Sequence, residues 1–365
     1  MSGWRSTKTA AREAVSRRAR GARGARTFAG ATVIAVAFLA VSPVVHGQAP
    51  SPRGVKVFIV TMFDVEAQPW IEALGLTQTL AVAGLPAGDP VVRCNADDVC
   101  LVTTGMGKAN AAASVAAVVF SGTFDLRQTY FLVAGVAGID PGQGTLGSVA
   151  FATNVVDYGI SWEVDARTLP AGWTTGYLGI DATSPTQKPP GLFGTELYTL
   201  TPALVSKAVA LAGGATLGDD STALACRAGY TSAPASASPA VVACDTTTSD
   251  TYWQGALLGQ RATQWVSLLT GGAGTYCTSQ QEDNAAITAL QRGASAGLLD
   301  ATRVVVANGA SSFDRPPAGQ SPYDALVACG HAGLEPAIGN LVAAAGPLVS
   351  AIVADWSDWQ NGVPQ

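Results

Sequence analysis

Apolar residues in this chain fall into short, nearly unbroken runs, separated by longer stretches where they recur at helical spacing. Residues 55–61 (VKVFIVT) form the first run, the pattern of a strand covered on both faces. Residues 62–67 then turn into a short helix reaching Leu74. Residues 90–94 and 99–104 pair as a hairpin, 107–121 are Ala/Val-rich with helical length, and 130–134 are a second buried strand. Residues 135–142 read as a glycine-rich turn before a strand that runs through Val156. Residues 160–200, rich in Pro, Gly, Trp and Thr, read as surface loops, and Pro202 opens a helix to about Ala212. The segment 213–250 is poor in charge and rich in small residues, which predicts a loop-rich excursion from the core. Residues 276–279 are a strand leading into a helix over about 282–294. Another strand covers 302–307, and a final helix covers about 334–355. Strands alternating with helices predict an α/β domain with a mixed central sheet flanked by helices.

A different kind of segment stands ahead of this pattern. Residues 1–26 carry seven Arg and one Lys against a single acid, Glu13, and an apolar stretch follows at 28–45. Gly47 and Ala49 supply small residues at its exit. Together these read as a secretory signal over residues 1–49, and so as export to the periplasm or the exterior. Left uncleaved, the same stretch becomes a membrane anchor, since it approaches the roughly twenty residues a bilayer requires. Its removal takes eight of the 21 basic residues and one of the 26 acidic ones, leaving 13 against 25, a net charge of −12. That acidity excludes nucleic acid and anionic membranes as partners. No later stretch reads as a span, and the nearest, 341–356, is interrupted by Gly346-Pro347.

Past the leader one histidine remains, His331, because His46 belongs to the leader. A Ser–His–Asp triad or a multi-histidine zinc site has almost nothing to be built from. No metal or other cofactor is expected, and catalysis must rest on carboxylates, hydroxyls, lysine and backbone groups. His331, between Cys329-Gly330 and Gly333, reads as structural. The six cysteines all follow the leader, and an even number in an exported chain predicts disulfides. Cys94 and Cys100 bracket the hairpin turn. Cys226 and Cys244 bracket a Ser/Ala/Pro-rich segment, and Cys277 with Cys329 remain by elimination.

Ligand groups in α/β sheets collect in loops after the carboxyl ends of strands, and several such loops carry chemistry here. Glu66 follows the first strand and opens a helix, where a carboxylate suits a helix N-terminus as well as a catalytic role. Gly105 lies in Thr104-Gly105-Met106-Gly107-Lys108, which lacks P-loop spacing. In the 135–142 turn, Gly135 and Val136 bring backbone close to a ligand, and the turn equally fits an ordinary tight connection. Glu282 and Asp283 suit gripping sugar hydroxyls, with helix capping as the plainer reading. Asn308-Gly309-Ala310-Ser311-Ser312-Phe313-Asp314 supplies amide, hydroxyl and carboxylate groups. Tyr252-Trp253 offers a flat face for a base, although such pairs also build cores.

Taken in order, these loops resemble the purine nucleoside permease (NUP) family. The resemblance rests on MFDVEAQPW (62–70), TTGMGKANAA (103–112), FLVAGVAGIDP (131–141), SDTYWQG (249–255), QEDNAA (281–286) and GASSFDRPP (309–317). It covers roughly residues 55–355. More distantly the pattern is similar to bacterial adenosylhomocysteine/methylthioadenosine nucleosidases and nucleoside phosphorylases. The resemblance implies a nucleoside-phosphorylase-like three-layer fold over residues 50–365, a purine nucleoside as ligand, and a part in nucleoside uptake. Homo-oligomers and a separate membrane carrier are partners it brings into view. Carried over from the nucleosidases, Glu66 matches the carboxylate that activates water. Glu282 or Asp283 matches the acid that holds the ribose hydroxyls. Tyr252, with Trp253, matches the aromatic stacked on the base. Ser312 stands where nucleosidases carry an aspartate that protonates the purine and where the permease family usually shows asparagine, with Asp314 two residues on as a substitute acid. Cleavage by water is favoured over cleavage by phosphate, because the glycine turn holds no cationic phosphate ligand. The competing expectation is a non-catalytic binding protein that delivers nucleoside to a carrier.

Overall fold

The computed structural model describes residues 51–364, and the leader reading of residues 1–49 lies outside them. Among the described residues, twelve strands form one mixed sheet. In chain order they are β1 (Val57–Thr61), β2 (Gln78–Ala81), β3 (Val91–Cys94), β4 (Val99–Thr103), β5 (Tyr130–Ile139) and β6 (Val149–Phe151). They continue with β7 (Asn154–Asp157), β8 (Leu197–Thr199), β9 (Val241–Ala243), β10 (Asp245–Thr248), β11 (Tyr276–Gln280) and β12 (Val304–Phe313). The main path runs β8-β7-β10-β11-β5-β1-β4-β3-β2, with β12 paired to β5 and β6, and β9 to β6. The larger helices are α1 (Asp64–Leu74), α2 (Lys108–Phe120), α3 (Pro202–Ala212), α4 (Ala256–Thr270), α5 (Asp283–Ser295), α6 (Pro322–Cys329) and α7 (Leu334–Ala354).

Strands β4, β1 and β5 run parallel, and every position of β1 and β4 is buried. That is why their sequences are apolar throughout and show no alternation. The chain leaves β1 through α1 to reach β4, then returns past β1 through α2 to β5. Right-handed crossovers running in opposite directions put their helices on opposite faces of a sheet. Helix α7 packs with α1 and with α3, and α5 packs with α2. The result is helix, sheet, helix, in agreement with the expected mixed α/β class.

Four expectations are corrected. The glycine-rich 135–142 segment is not a turn for most of its length, because β5 continues to Ile139 and pairs in parallel with β12. Strand β12 likewise swallows residues 308–313, expected as a loop. Small residues let two strands lie in the deep interior here: a Cβ on Gly135 would stand 2.8 Å from Met62 Sδ and 3.1 Å from Glu66 Oε1. The 213–250 excursion ends early, since β9 and β10 fill its last part and β10 joins β7 and β11 within the sheet. Its sequence, Asp-Thr-Thr-Thr, has no apolar run, but Thr246, Thr247 and Thr248 are buried with hydroxyls bonded to the Thr278 carbonyl and Asn284. Finally, α7 runs 21 residues straight through Gly346-Pro347 and is apolar and long enough to cross a bilayer. It packs on β12 and on α1 and α3 through Leu341, Ala344, Leu348 and Ile352, as a core helix does.

The disulfides settle in part differently from expectation. Cys94 and Cys100 are bonded, across the β3–β4 hairpin register. The other two bonds are Cys226–Cys329 and Cys244–Cys277, not Cys226–Cys244 and Cys277–Cys329. Cys244 immediately precedes β10 and Cys277 lies on neighbouring β11, so sheet pairing brings them together. Cys226, on a short helix over Ser221–Arg227, is left for Cys329 at the end of α6. Sequence proximity was the wrong guide because strand order, not chain distance, sets which cysteines meet.

Candidate active site

A cavity of about 540 Å³ opens at the ends of β1, β5, β10, β11 and β12. Its walls include Phe63, Glu66, Met106, Val136, Asp250, Tyr252, Trp253, Glu282, Ser312, Asp314 and His331. Among the described residues, no lysine or arginine lines it.

Glu66 sits in the first turn of α1, whose N-cap Phe63 offers no capping side chain. The carboxylate accepts instead from two amides outside the helix. Met62 N donates to Oε2 at 2.8 Å, and Val136 N, on β5, donates to Oε1 at 2.7 Å. The bond to Val136 ties α1 to the strand forming the cavity wall. Burial raises the Glu66 pKa to about 8, against the pull of the Val136 and Met62 amides, with a further upward push from the Glu282 charge. A carboxyl poised near neutral pH is suited to taking a proton.

Glu282 and Asp283 part company. Gln280 Oε1 accepts from both backbone amides, Glu282 N and Asp283 N, each at 2.8 Å, so the start of α5 is capped without either carboxylate. Glu282 is free to face the cavity, where Gly107 N donates to Oε1 at 2.8 Å and Gln281 N to Oε2 at 3.1 Å. Burial pushes its pKa up, opposed by those amides, and Asp250 adds to the push. Asp283 points into the interior away from the cavity walls. Asn308 Nδ2 donates to its Oδ2 at 3.1 Å, while Oδ1 is buried without a partner. Burial raises its pKa to about 8. Of the two acids left open by sequence, the structure puts only Glu282 at the cavity.

Ser312 is fully buried on β12, and Tyr252 Oη donates to its Oγ at 2.7 Å. Gly330 O lies 3.1 Å from the same phenol. A serine oxygen occupied as acceptor keeps its own proton for an acceptor in the cavity. Trp253 is mostly core, stacked on Tyr158 with ring centroids 5.6 Å apart and an interplanar angle of 21°, and it presents part of its surface to the cavity.

Asp314 also reaches the wall, but both its oxygens are taken. Arg315 Nε donates to Oδ1 at 2.7 Å, and a terminal nitrogen of Arg315 and Tyr276 Oη donate to Oδ2 at 2.9 and 2.8 Å. Burial lifts its pKa to about 6, opposed mainly by Arg315. The substitute acid expected from sequence thus stands at the wall, held by Arg315 and Tyr276. Gly105 and Gly135 stay off the walls, and their neighbours Met106 and Val136 stand there instead. His331, expected to be structural, is exposed at the mouth with its ring 6.4 Å from Tyr252. Asp250, which the sequence reading holds only within SDTYWQG and gives no role, follows β10, a polar strand that no hydropathy pattern reveals. Its side chain accepts from Lys108 N at 2.7 Å.

Comparison with known proteins adds to this geometry. The sequence model of the purine nucleoside permease (NUP) family matches residues 54–364. A purine nucleoside permease of Candida albicans is 34% identical over 306 residues, 82% of this chain and 75% of that protein. A probable purine nucleoside permease of Schizosaccharomyces pombe is 37% identical over 320 residues, 83% of this chain and 90% of that protein. Among solved structures, a 5′-methylthioadenosine/S-adenosylhomocysteine nucleosidase of Colwellia psychrerythraea in complex with adenine has a TM-score of 0.48 at 16% identity, covering 82% of this chain and 95% of that one. The Streptococcus pneumoniae nucleosidase in complex with 8-aminoadenine has a TM-score of 0.47 at 15% identity, covering 82% and 100%. By the extent of the family match and the identity to both yeast proteins, the chain belongs to the purine nucleoside permease family.

Proposed function

We propose that this chain is exported, binds a purine nucleoside in the cavity, and splits its N-glycosidic bond with water as part of nucleoside uptake. The observation that supports the reading is the meeting of Glu66 and Glu282, far apart in the sequence, on the walls of one cavity of about 540 Å³. Glu66 takes a proton from water as the water oxygen bonds to the ribose anomeric carbon. The glycosidic electron pair leaves with the base. Glu282 holds ribose hydroxyls, and nearby negative charge stabilises the oxocarbenium-like state. Ser312 donates to a purine ring nitrogen, and Tyr252 with Trp253 flanks the base. Phosphate is a poor co-substrate for walls that contain no lysine or arginine.

The test is release of free base from inosine and adenosine, with and without phosphate. Release without phosphate is expected, and a strict phosphate requirement overturns the hydrolytic reading. A second reading has its own support: Ser312 is a weak acid, and Asp314 is bound to Arg315. On that reading the chain binds nucleoside without cleaving it and hands it to a membrane carrier. Submicromolar binding with no base after long incubation decides for it.

A further inference from the structure

Asp250 is an exposed carboxylate at the cavity mouth, and the cleavage chemistry makes no use of it. It is held in place from two sides. Lys108 N, in the first turn of α2, donates to Oδ1 at 2.7 Å, and Gln281 Nε2 donates to its carbonyl at 2.6 Å. Gly107, at φ +90°, makes room for it, since a Cβ there would stand 3.2 Å from Oδ1. No lysine or arginine among the described residues pairs with the Asp250 carboxylate. The ammonium of Lys108, whose backbone amide Asp250 holds, pairs instead with Asp157 at 3.0 Å. The Arg315 guanidinium behind the wall is shared between Asp140 and Asp314. Among the described residues, an incoming ligand thus meets a carboxylate without a cationic partner first, then Glu66, Glu282 and the Arg315-paired Asp314, with His331 as the one nitrogen base on the walls.

We propose that Asp250 is a specificity-determining residue that admits uncharged nucleosides and turns away their 5′-phosphorylated forms. The inference rests on the nucleoside-binding reading above and deepens it. Whichever end of a nucleotide enters first, its phosphate must sit at or pass the mouth. Repulsion between single charges about 6 Å apart at a solvent-facing site is worth on the order of tenfold in affinity, and a phosphate dianion up to about a hundredfold. Such repulsion weakens with salt.

The probe is a C-nucleoside purine analogue, which has no N-glycosidic bond to break, together with its 5′-monophosphate. Both are titrated into the wild-type chain and Asp250→Asn at low salt and at about 1 M salt, where screening is nearly complete. Asparagine keeps the acceptor for Lys108 N and removes only the charge. The wild type is expected to prefer the nucleoside by about a hundredfold at low salt, and Asp250→Asn to cut that ratio about tenfold. High salt should narrow the wild-type ratio more than the variant's. An unchanged ratio in Asp250→Asn, or a wild-type ratio near one, overturns this inference while leaving nucleoside binding intact. Binding of neither ligand overturns the functional reading and this inference with it.

Discussion

Replacing Glu66 by glutamine turns one oxygen into an NH₂ group at a place where both oxygens accept backbone amides, from Met62 and Val136. One amide loses its acceptor and faces a second donor inside the protein. A lost hydrogen bond of about 1 kcal/mol and an orphaned buried donor of about 1–3 kcal/mol give a cost of about 2–4 kcal/mol at pH 5. The wild type, however, carries a pH-dependent burden that the variant lacks. The Glu66 pKa is raised from 4.5 to about 8 in the folded chain. Its contribution to stability is fully present below pH 4.5 and is lost as pH rises through 8. At about 1.4 kcal/mol per pKa unit, that loss amounts to about 5 kcal/mol when complete. The gap between wild type and variant should therefore be widest near pH 5 and close, or reverse, by pH 9. Urea denaturation at pH 5, 7 and 9 measures it, with base release followed in parallel. Turnover should fall by about 10²–10⁴-fold in the variant, and in the wild type should rise with pH through 8 as the base ionises. A gap that stays constant across this range would show that Glu66 is not the buried acid described here.

Ser312→Asp puts a carboxylic acid beside the Tyr252 phenol at a fully buried position. Base release should rise at least about tenfold if leaving-group protonation limits cleavage, and a chain that still cleaves no faster refutes that limit. Asp283→Asn should flatten the fall of stability between pH 4 and 8 by about 1.4 kcal/mol per pH unit, because the Asp283 pKa is raised to about 8 by burial. Parallel denaturation curves for variant and wild type would sink this. Cys226→Ser with Cys329→Ser opens a link spanning 103 residues and should cost about 4 kcal/mol, against about 2 kcal/mol for opening Cys94–Cys100, which spans 6. Peptide mapping that recovers Cys226 joined to Cys244 would refute the pairing itself.

The local elements of this protein were largely legible from pattern alone. Unbroken apolar runs identified β1, β4 and the first half of β5, since strands covered on both faces leave no room for polar alternation. An Ala/Val-rich stretch of helical length identified α2, Pro202 identified the start of α3, and the cysteines bracketing the hairpin turn identified one disulfide. The family motifs singled out Glu66, Glu282 or Asp283, Tyr252, Ser312 and Asp314 as residues to look at, and the structure brings all but Asp283 to one cavity. Where glycine stood for a turn, the reading failed: Gly135 and Gly138 lie inside a strand, and absence of a side chain there serves close packing against Met62 and Ser279. Strand β10 was invisible because its buried threonines satisfy their hydroxyls through hydrogen bonds, a solution that hydropathy does not register.

What only the tertiary structure decided are the relations between distant segments. Adjacent Glu282 and Asp283 have the same chemistry in sequence. They differ because Gln280 caps α5 and turns one toward the cavity and the other toward Asn308. Asp314 looked free until Arg315 and Tyr276 were seen to hold it. Cysteine partners, the exposure of His331 and the bare charge of Asp250 all depend on which strands become neighbours. Composition and spacing determine how each segment folds by itself. Which side chains share a hollow is set by packing over the whole sheet, and one chain's order carries that only implicitly.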